Sequence, residues 1–257
     1  MIVNGNEKVI ISQEKITPNK IQIYKDNKKY SYICEVRSSN ENTFNIPKLV
    51  SIKITDKIDK SQNKLYINVP IINVDIPVFI IFKIFGCLTD KEIIYHIIDN
   101  DGIYDNDMIK TLLPSIEESF EIRTKLDAFK YLYQYLNQSY NYLSDENKNK
   151  YINNYILKNI LPHVPEVSDK LYYLGYMINK LLKCYFTIET TDDRDSYINK
   201  RVDTPGVLMG NLTYLCFSKI TKEIKQQIPK EVEKEKYSID TNNIRIGSDE
   251  FWIVISD

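Results

Sequence analysis

The chain has 257 residues, with 34 Lys and Arg against 35 Asp and Glu for a net charge of −1. That length supports one large or two small domains with real cores. The balanced charge argues neither for nor against nucleic acid, so only local clustering can. Cys34, Cys87, Cys184 and Cys216 form no CxxC pair, which excludes a zinc ribbon and a disulfide framework and fits a reducing interior. His96 and His163 lie far apart and leave little for histidine-based metal chemistry.

Residues 1–74 read as β. Val9–Ile11, Ile21–Tyr24, Tyr30–Val36, Leu49–Ile54 and Lys64–Val69 are short β-branched or aromatic runs separated by polar turns. Asp26-Asn27-Lys28 reads as a hairpin tip. The pattern then turns helical across 75–187. Asp75 is placed to cap a helix that admits Pro77 in its first turn and ends at Gly86. Thr89 and Glu92 form a capping-box pattern before Ile93, Ile94, Ile97 and Ile98, and Asp99–Gly102 breaks that helix. Ser115 and Glu118 repeat the capping pattern. Thr124 opens a helix bearing Phe129, Leu132, Tyr133 and Leu136, and a further helix spans Asn147 to Ile160 before Pro162.

The clearest helix runs from Asp169 to Phe186, with Leu171, Leu174, Ile178, Leu181, Leu182 and Tyr185 at helical spacing, a stripe that reads as a core face. The third segment, 188–257, opens on charge and continues into a helix from Gly206 to Ile228 carrying Leu208, Leu212, Leu215, Cys216, Ile220 and Ile224. Residues 229–237 are strongly charged, and Phe251–Ile255 reads as a strand. The longest apolar run, Ile76 to Leu88, contains Lys83 and is too short to span a bilayer. No basic-then-apolar leader opens the chain, so a soluble intracellular protein of α+β class, with no membrane partner, is expected.

Between the last two helices lies Thr191 to Asp203, which packs Asp192, Asp193, Arg194, Asp195, Lys200, Arg201 and Asp203 into one stretch without helical or strand period. Asp192, Asp193 and Asp195 have the oxygen ligands that Mg²⁺ takes, but the cations among them make internal ion pairing the simpler use, with Asp203 in the same role. No metal site is therefore expected. Arg194, Lys200 and Arg201 are candidates for phosphate contacts, which position a duplex without reading it. The competing reading is that they neutralise the neighbouring aspartates and fix a join between subdomains. Glu7, Lys8, Gln13 and Glu14 sit on an early strand, either as a domain contact or as an ordinary exposed face. His163 has no nucleophile or carboxylate nearby in sequence and reads as a packed or capping residue. Gly206 and Gly210 make no nucleotide-binding loop.

The same stretch, DDRDSYINKRVD, resembles a signature of the second-largest, β-type subunit of multisubunit DNA-directed RNA polymerases. Asn4–Glu14 resembles that subunit's NGxEKVxIxQE element. Asp75-Ile76-Pro77 with Gly86–Ile93, Pro114–Glu118, Leu161–Val164 and Leu174–Leu182 match in the same order. The resemblance implies the lobe and part of the protrusion, which wall the DNA channel without performing nucleotidyl transfer. It implies as partners the largest polymerase subunit, the remaining parts of the second-largest subunit and duplex DNA. It places no cofactor in this chain, the Mg²⁺ of the assembled polymerase being held elsewhere, and it predicts that the isolated chain is inactive. The family subunit is several times longer, so the chain reads as a fragment or as the product of a split gene. The alternative is a stand-alone interaction protein or remnant derived from such a subunit.

Overall fold

The computed structural model describes residues 2–26, 29–40, 47–55, 63–70, 72, 74–98, 105–135, 153–154 and 158–233. They form an α+β fold that divides into two compact units, one from Thr17 to Asn199 and one joining residues 1–16 to 200–257. The sequence pattern suggests divisions after residues 74 and 187. The expected helix over Asn147–Ile160 falls largely outside the described residues, and the strand at Phe251–Ile255, the Asp99–Gly102 break and Asn27-Lys28 lie wholly outside them.

The larger unit is built on an antiparallel five-stranded meander. Its strands run in sequence order: β4 (Ile21–Lys25), β5 (Tyr30–Ser38), β6 (Lys48–Thr55), β7 (Leu65–Asn68) and β8 (Ile76–Pro77). Register places Ile23, Cys34, Ile52, Ile67 and Ile76 in one row across the sheet. All five are essentially inaccessible to water, so this row is the centre of the core. Alternation sends the next row, Gln22, Glu35, Ser51 and Asn68, to the opposite face.

Helix α1 (Val78–Phe85) packs on β7 and β8 and is buried at every position, including Lys83. Its end is set by Gly86, whose φ of 116° lies in the left-handed region that a side chain would strain. The Lys83 ammonium donates to the carbonyls of Ser119 at 3.0 Å and Ile122 at 2.8 Å. These carbonyls lie just past the end of α3 (Asp105–Glu118), so a buried cation serves as its C-terminal cap. Helix α2 (Asp90–Ile97) starts as expected, with the Thr89 hydroxyl accepting from the Glu92 N–H. At α4 (Lys125–Tyr133), Thr124 and Asp127 complete a reciprocal capping box.

Two expected starts differ. Asp75 does not cap α1, because Ile76 and Pro77 pair with β7 and the helix begins at Val78. The Asp75 carboxylate instead bonds Lys53 Nζ at 2.7 Å and the Tyr30 hydroxyl. Burial alone would raise its pKa, but these bonds outweigh burial and hold it below the ordinary carboxylate value. Ser115 and Glu118 open no helix. They close α3, where Ser115 Oγ accepts from the Leu65 N–H at 2.9 Å and Glu118 accepts from the Tyr66 hydroxyl.

Helix α5 (Val167–Tyr185) lies against β4, β5 and α2, and buries Leu171, Leu174, Ile178, Leu181 and Leu182 as its spacing predicts. Gly175 makes the approach to α2 possible, since a Cβ there would sit 2.0 Å from the His96 carbonyl oxygen. His163 is packed: its Nδ1 lies 2.6 Å from Ser38 Oγ, itself fully buried.

In the smaller unit, β1 (Ile2–Val3) pairs with β2 (Asn6–Glu7), and β3 (Gln13–Ile16) pairs antiparallel with β9 (Lys200–Asp203). Residues Val9–Ile11, expected as a strand, have no sheet partner among the described residues, and pairing begins at Gln13. Helix α6 (Pro205–Glu233) follows β9. No described helix is long and apolar enough to cross a membrane.

Candidate functional site

The charged stretch Thr191–Asp203 serves both units. In the larger one it runs along the free edge of β4. The Asp192 N–H donates to the Ile23 carbonyl at 2.8 Å, and Asp192 Oδ2 accepts the Ile23 N–H at 3.0 Å. One residue thus satisfies both backbone groups of Ile23 on an edge strand that could otherwise pair with other chains. Lys180 of α5 sits 3.6 Å from the same carboxylate oxygen.

Arg194 is held by the outward face of the sheet. Its guanidinium stacks on Tyr24 with 4.5 Å to the ring centre and lies 3.9 Å from Glu35 Oε1. The Tyr24 hydroxyl donates to Glu35 Oε2 at 2.9 Å. Burial, and then the bond and charge of Glu35, push the Tyr24 pKa up to about 12, so the phenol stays a donor. Glu35 is only 7% exposed, and the Arg194 guanidinium stands beside its buried charge.

Asp193 and Asp195 act through local geometry. Asp193 Oδ1 accepts the Asp195 N–H at 2.9 Å, an Asx turn. The Asp193 carbonyl accepts from the Asn199 side chain at 2.5 Å. Asn199 is buried, and its side chain and backbone do three further things. Its Oδ1 accepts from Lys20 Nζ at 2.6 Å, its carbonyl accepts the Thr17 N–H at 3.0 Å, and its own N–H reaches the Ser196 carbonyl at 2.9 Å. The larger unit is therefore tied shut where the chain enters and leaves it.

In the smaller unit, Lys200, Arg201 and Asp203 lie on β9. Lys200 Nζ is 3.0 Å from Glu14 and Asp203 is 2.6 Å from Lys15 Nζ, both across the β3–β9 ribbon. Arg201 is exposed and donates from Nη1 to the Lys200 carbonyl at 2.8 Å. Arg194 thus belongs to one unit, and Lys200 and Arg201 to the other.

Ion pairs run from this stretch to Lys180, Glu35, Glu14 and Lys15. Glu14 was singled out in sequence as a possible domain contact, but Lys180, Glu35 and Lys15, with Tyr24 and Asn199, are residues that sequence reasoning missed. Asn199 stood inside the quoted signature, but an asparagine carries no charge to draw attention. No local pattern points to the other four. Among the described residues no three His, Cys, Asp or Glu side chains could hold a metal ion, and the aspartates of this stretch are spent on the contacts above.

The family model described as RNA polymerase Rpb2, domain 2, matches residues 9–203. The chain is 34% identical over 245 residues to DNA-directed RNA polymerase II subunit 2 of Arabidopsis thaliana, covering 91% of this chain and 20% of that protein. It is 27% identical over 238 residues to DNA-directed RNA polymerase subunit Rpo2 of Saccharolobus shibatae, covering 89% and 19%. It is 29% identical over 251 residues to DNA-directed RNA polymerase subunit 2 of Acanthamoeba polyphaga mimivirus, covering 86% and 20%. The chain thus spans about a fifth of the length of the curated relatives it matches.

Proposed function

The chain belongs to the RNA polymerase Rpb2 domain 2 family, and from that premise we propose that it forms the lobe and part of the protrusion of a DNA-directed RNA polymerase second-largest subunit. Its role is to wall the DNA channel. Its partners are the largest subunit, the remaining parts of the second-largest subunit and duplex DNA. Arg194, Lys200 and Arg201 contact backbone phosphates, which position a duplex without reading its sequence. The Mg²⁺ of phosphoryl transfer does not fit here, because no described carboxylates converge, and no step of the reaction is assigned to this chain.

The observation that carries the partner reading is α6. Its apolar stripe of Leu208, Leu212, Leu215, Cys216, Ile220 and Ile224 is the one expected from the sequence, yet no residue from Pro205 to Ile228 is buried. Leu212, Leu215 and Phe217 are each more than 40% exposed. An apolar helical face of that length left open to water marks an interaction surface. The rest of the same subunit, four-fifths of the relatives' length, is the partner that the family supplies.

Affinity purification of the tagged chain from its native cell or virion tests this. Recovery with the largest subunit and the remaining second-subunit segments, in a complex that synthesises RNA, is expected. Recovery with unrelated proteins alone favours a stand-alone interaction protein, and nucleotidyl transfer by the isolated chain overturns the architectural role.

A further inference from the structure

The outward face of the five-stranded sheet carries polar side chains that are shielded from bulk solvent. Register sets Gln22 opposite Glu35 and Glu35 opposite Ser51, so all three stand in one row, and all three are buried. Gln22 is 2% exposed, and neither its Oε1 nor its Nε2 has a hydrogen-bond partner among the described residues. Glu35 is satisfied at Oε2 by the Tyr24 hydroxyl, but its buried Oε1 accepts no hydrogen bond from them. The Arg194 guanidinium comes to 3.9 Å from that oxygen, near enough for charge and too far for a hydrogen bond.

A buried amide or carboxylate oxygen left without a hydrogen bond is destabilising, and native chains rarely keep one. Residues directly opposed on an antiparallel pair hold their Cβ atoms about 5 Å apart, so the Gln22 amide and Glu35 Oε1 converge on one place. Whatever lies there must donate to a carboxylate and accept from an amide or guanidinium N–H. A metal cation cannot accept, and the guanidinium repels it. An anion is repelled by the carboxylate. Water is neutral, brings two donors and two lone pairs, and is at home in buried sites lined by several polar groups. A charge pair held beyond hydrogen-bond reach is also where a bridging water is expected.

We propose that at least one ordered water is enclosed between Gln22, Glu35 and Arg194, donating to Glu35 Oε1 and accepting from the Gln22 amide and the guanidinium. Arg194 then supports the buried carboxylate through this water as well as through its charge. Gln22 has no charge and lies far from the Thr191–Asp203 stretch in sequence, yet it becomes a positioning residue for the Arg194 guanidinium. The proposal concerns the larger unit alone and stands whether or not Arg194 meets a phosphate.

Gln22→Met in the full chain tests this by the sign of its effect. Replacing a partnerless buried amide with an apolar chain of similar size raises stability, whereas breaking a water bridge to a buried carboxylate lowers it. The expected result is a urea midpoint lower by roughly 0.5 M, and a higher midpoint overturns the proposal. Altered packing can also lower a midpoint, so the water itself is counted by oxygen-17 magnetic relaxation dispersion. The unaltered chain should hold at least one more long-lived water than Gln22→Met, and equal counts overturn the proposal. A crystal structure of the unaltered chain gives a readout that needs no variant. It should show a water within hydrogen-bond reach of both Glu35 Oε1 and the Gln22 amide, and a direct bond between the two side chains in its place refutes the bridge.

Discussion

Gly175→Ala is the sharpest test of how the larger unit is packed. A Cβ at this position would stand 2.0 Å from the His96 carbonyl oxygen and 2.7 Å from its carbon. An ordinary C···O approach is about 3.3 Å, so α2 and α5 would have to separate locally by roughly 1.3 Å. The obstacle is backbone, which no rotamer change can move aside. The separation would also pull on the buried bond from Asn179 Nδ2 to the Ile97 carbonyl, now 2.8 Å, and on the contact of the His96 ring with Tyr172.

Three terms decide the sign. Overpacking against backbone costs up to about 3 kcal/mol. Weakening a buried hydrogen bond costs about 1–2 kcal/mol. Replacing glycine by alanine inside a helix returns about 1 kcal/mol. The balance is a loss of about 3 kcal/mol, or roughly 6–12 °C in melting temperature for a domain of this size. Urea unfolding of the full chain followed by circular dichroism measures it. Gly206→Ala is the matched control, because nothing lies within 4 Å of its Cβ position. It should be neutral or stabilising by up to about 1 kcal/mol. Equal or greater stability of Gly175→Ala would refute the close approach of α2 and α5.

Asn199→Ala removes the acceptor for Lys20 and the donor to the Asp193 carbonyl. It should cost about 1–3 kcal/mol and raise amide exchange over Asp193–Asn199, and unchanged exchange there would show that the bonds do not hold this segment. Lys83→Met leaves the Ser119 and Ile122 carbonyls without their ammonium donor and should destabilise by about 1–3 kcal/mol in the same unfolding assay, whereas a neutral result would remove Lys83 as the cap of α3. The His163 pKa is held below the ordinary value by burial and then by the Lys170 charge. Its folded pKa being the lower one, the unfolded chain takes up the proton first. The His163 contribution is therefore complete above about pH 6.5 and is lost as pH falls below it. Native chain should lose more stability than His163→Gln between pH 7.5 and 5.5. Lys170 contributes in a different window, since burial lowers its pKa to about 8 and its effect changes between there and the ordinary lysine value.

Local chemistry made the helices legible where the signal was local. Thr89 and Thr124 cap helices as their spacing indicates, and the α5 stripe is core. Ser115-x-x-Glu118 shows the limit of that logic, because the same pattern inside a helix is free to serve a neighbouring strand, and Leu65 takes the serine. Asp75-Ile76-Pro77 is likewise a good cap on paper, but β7 offers pairing to Ile76 and Pro77, and Lys53 and Tyr30 bind the carboxylate. The α6 stripe has the same period as α5, yet none of its described residues is buried. Period reports which residues share a face and not whether this chain supplies the cover. The charged stretch was legible as unusual, but its partners sit on β3, β4, β5 and α5 and became visible only through sheet register.

Register also settles what so much charge accomplishes. A unit inserted between two parts of another must close the gap where its chain enters and leaves, and it must protect any sheet edge exposed there. The Thr17–Asn199 bond does the first, and Asp192 on β4 does the second. Each brings a polar or charged group close to the core, which then needs compensation: Lys20 for Asn199, Lys180 for Asp192, and Arg194 for the buried Glu35 beside them. Arg194 is thereby committed first to the fold. Removing its charge would strand a carboxylate that is nearly buried, so an Arg194→Gln variant mixes lost stability with any lost phosphate contact. On the β3–β9 ribbon the Lys200–Glu14 and Lys15–Asp203 pairs are each half-hidden, with side-chain exposures of 19% and 47% in the first and 45% and 16% in the second, so replacing either lysine likewise mixes lost stability with any lost phosphate contact.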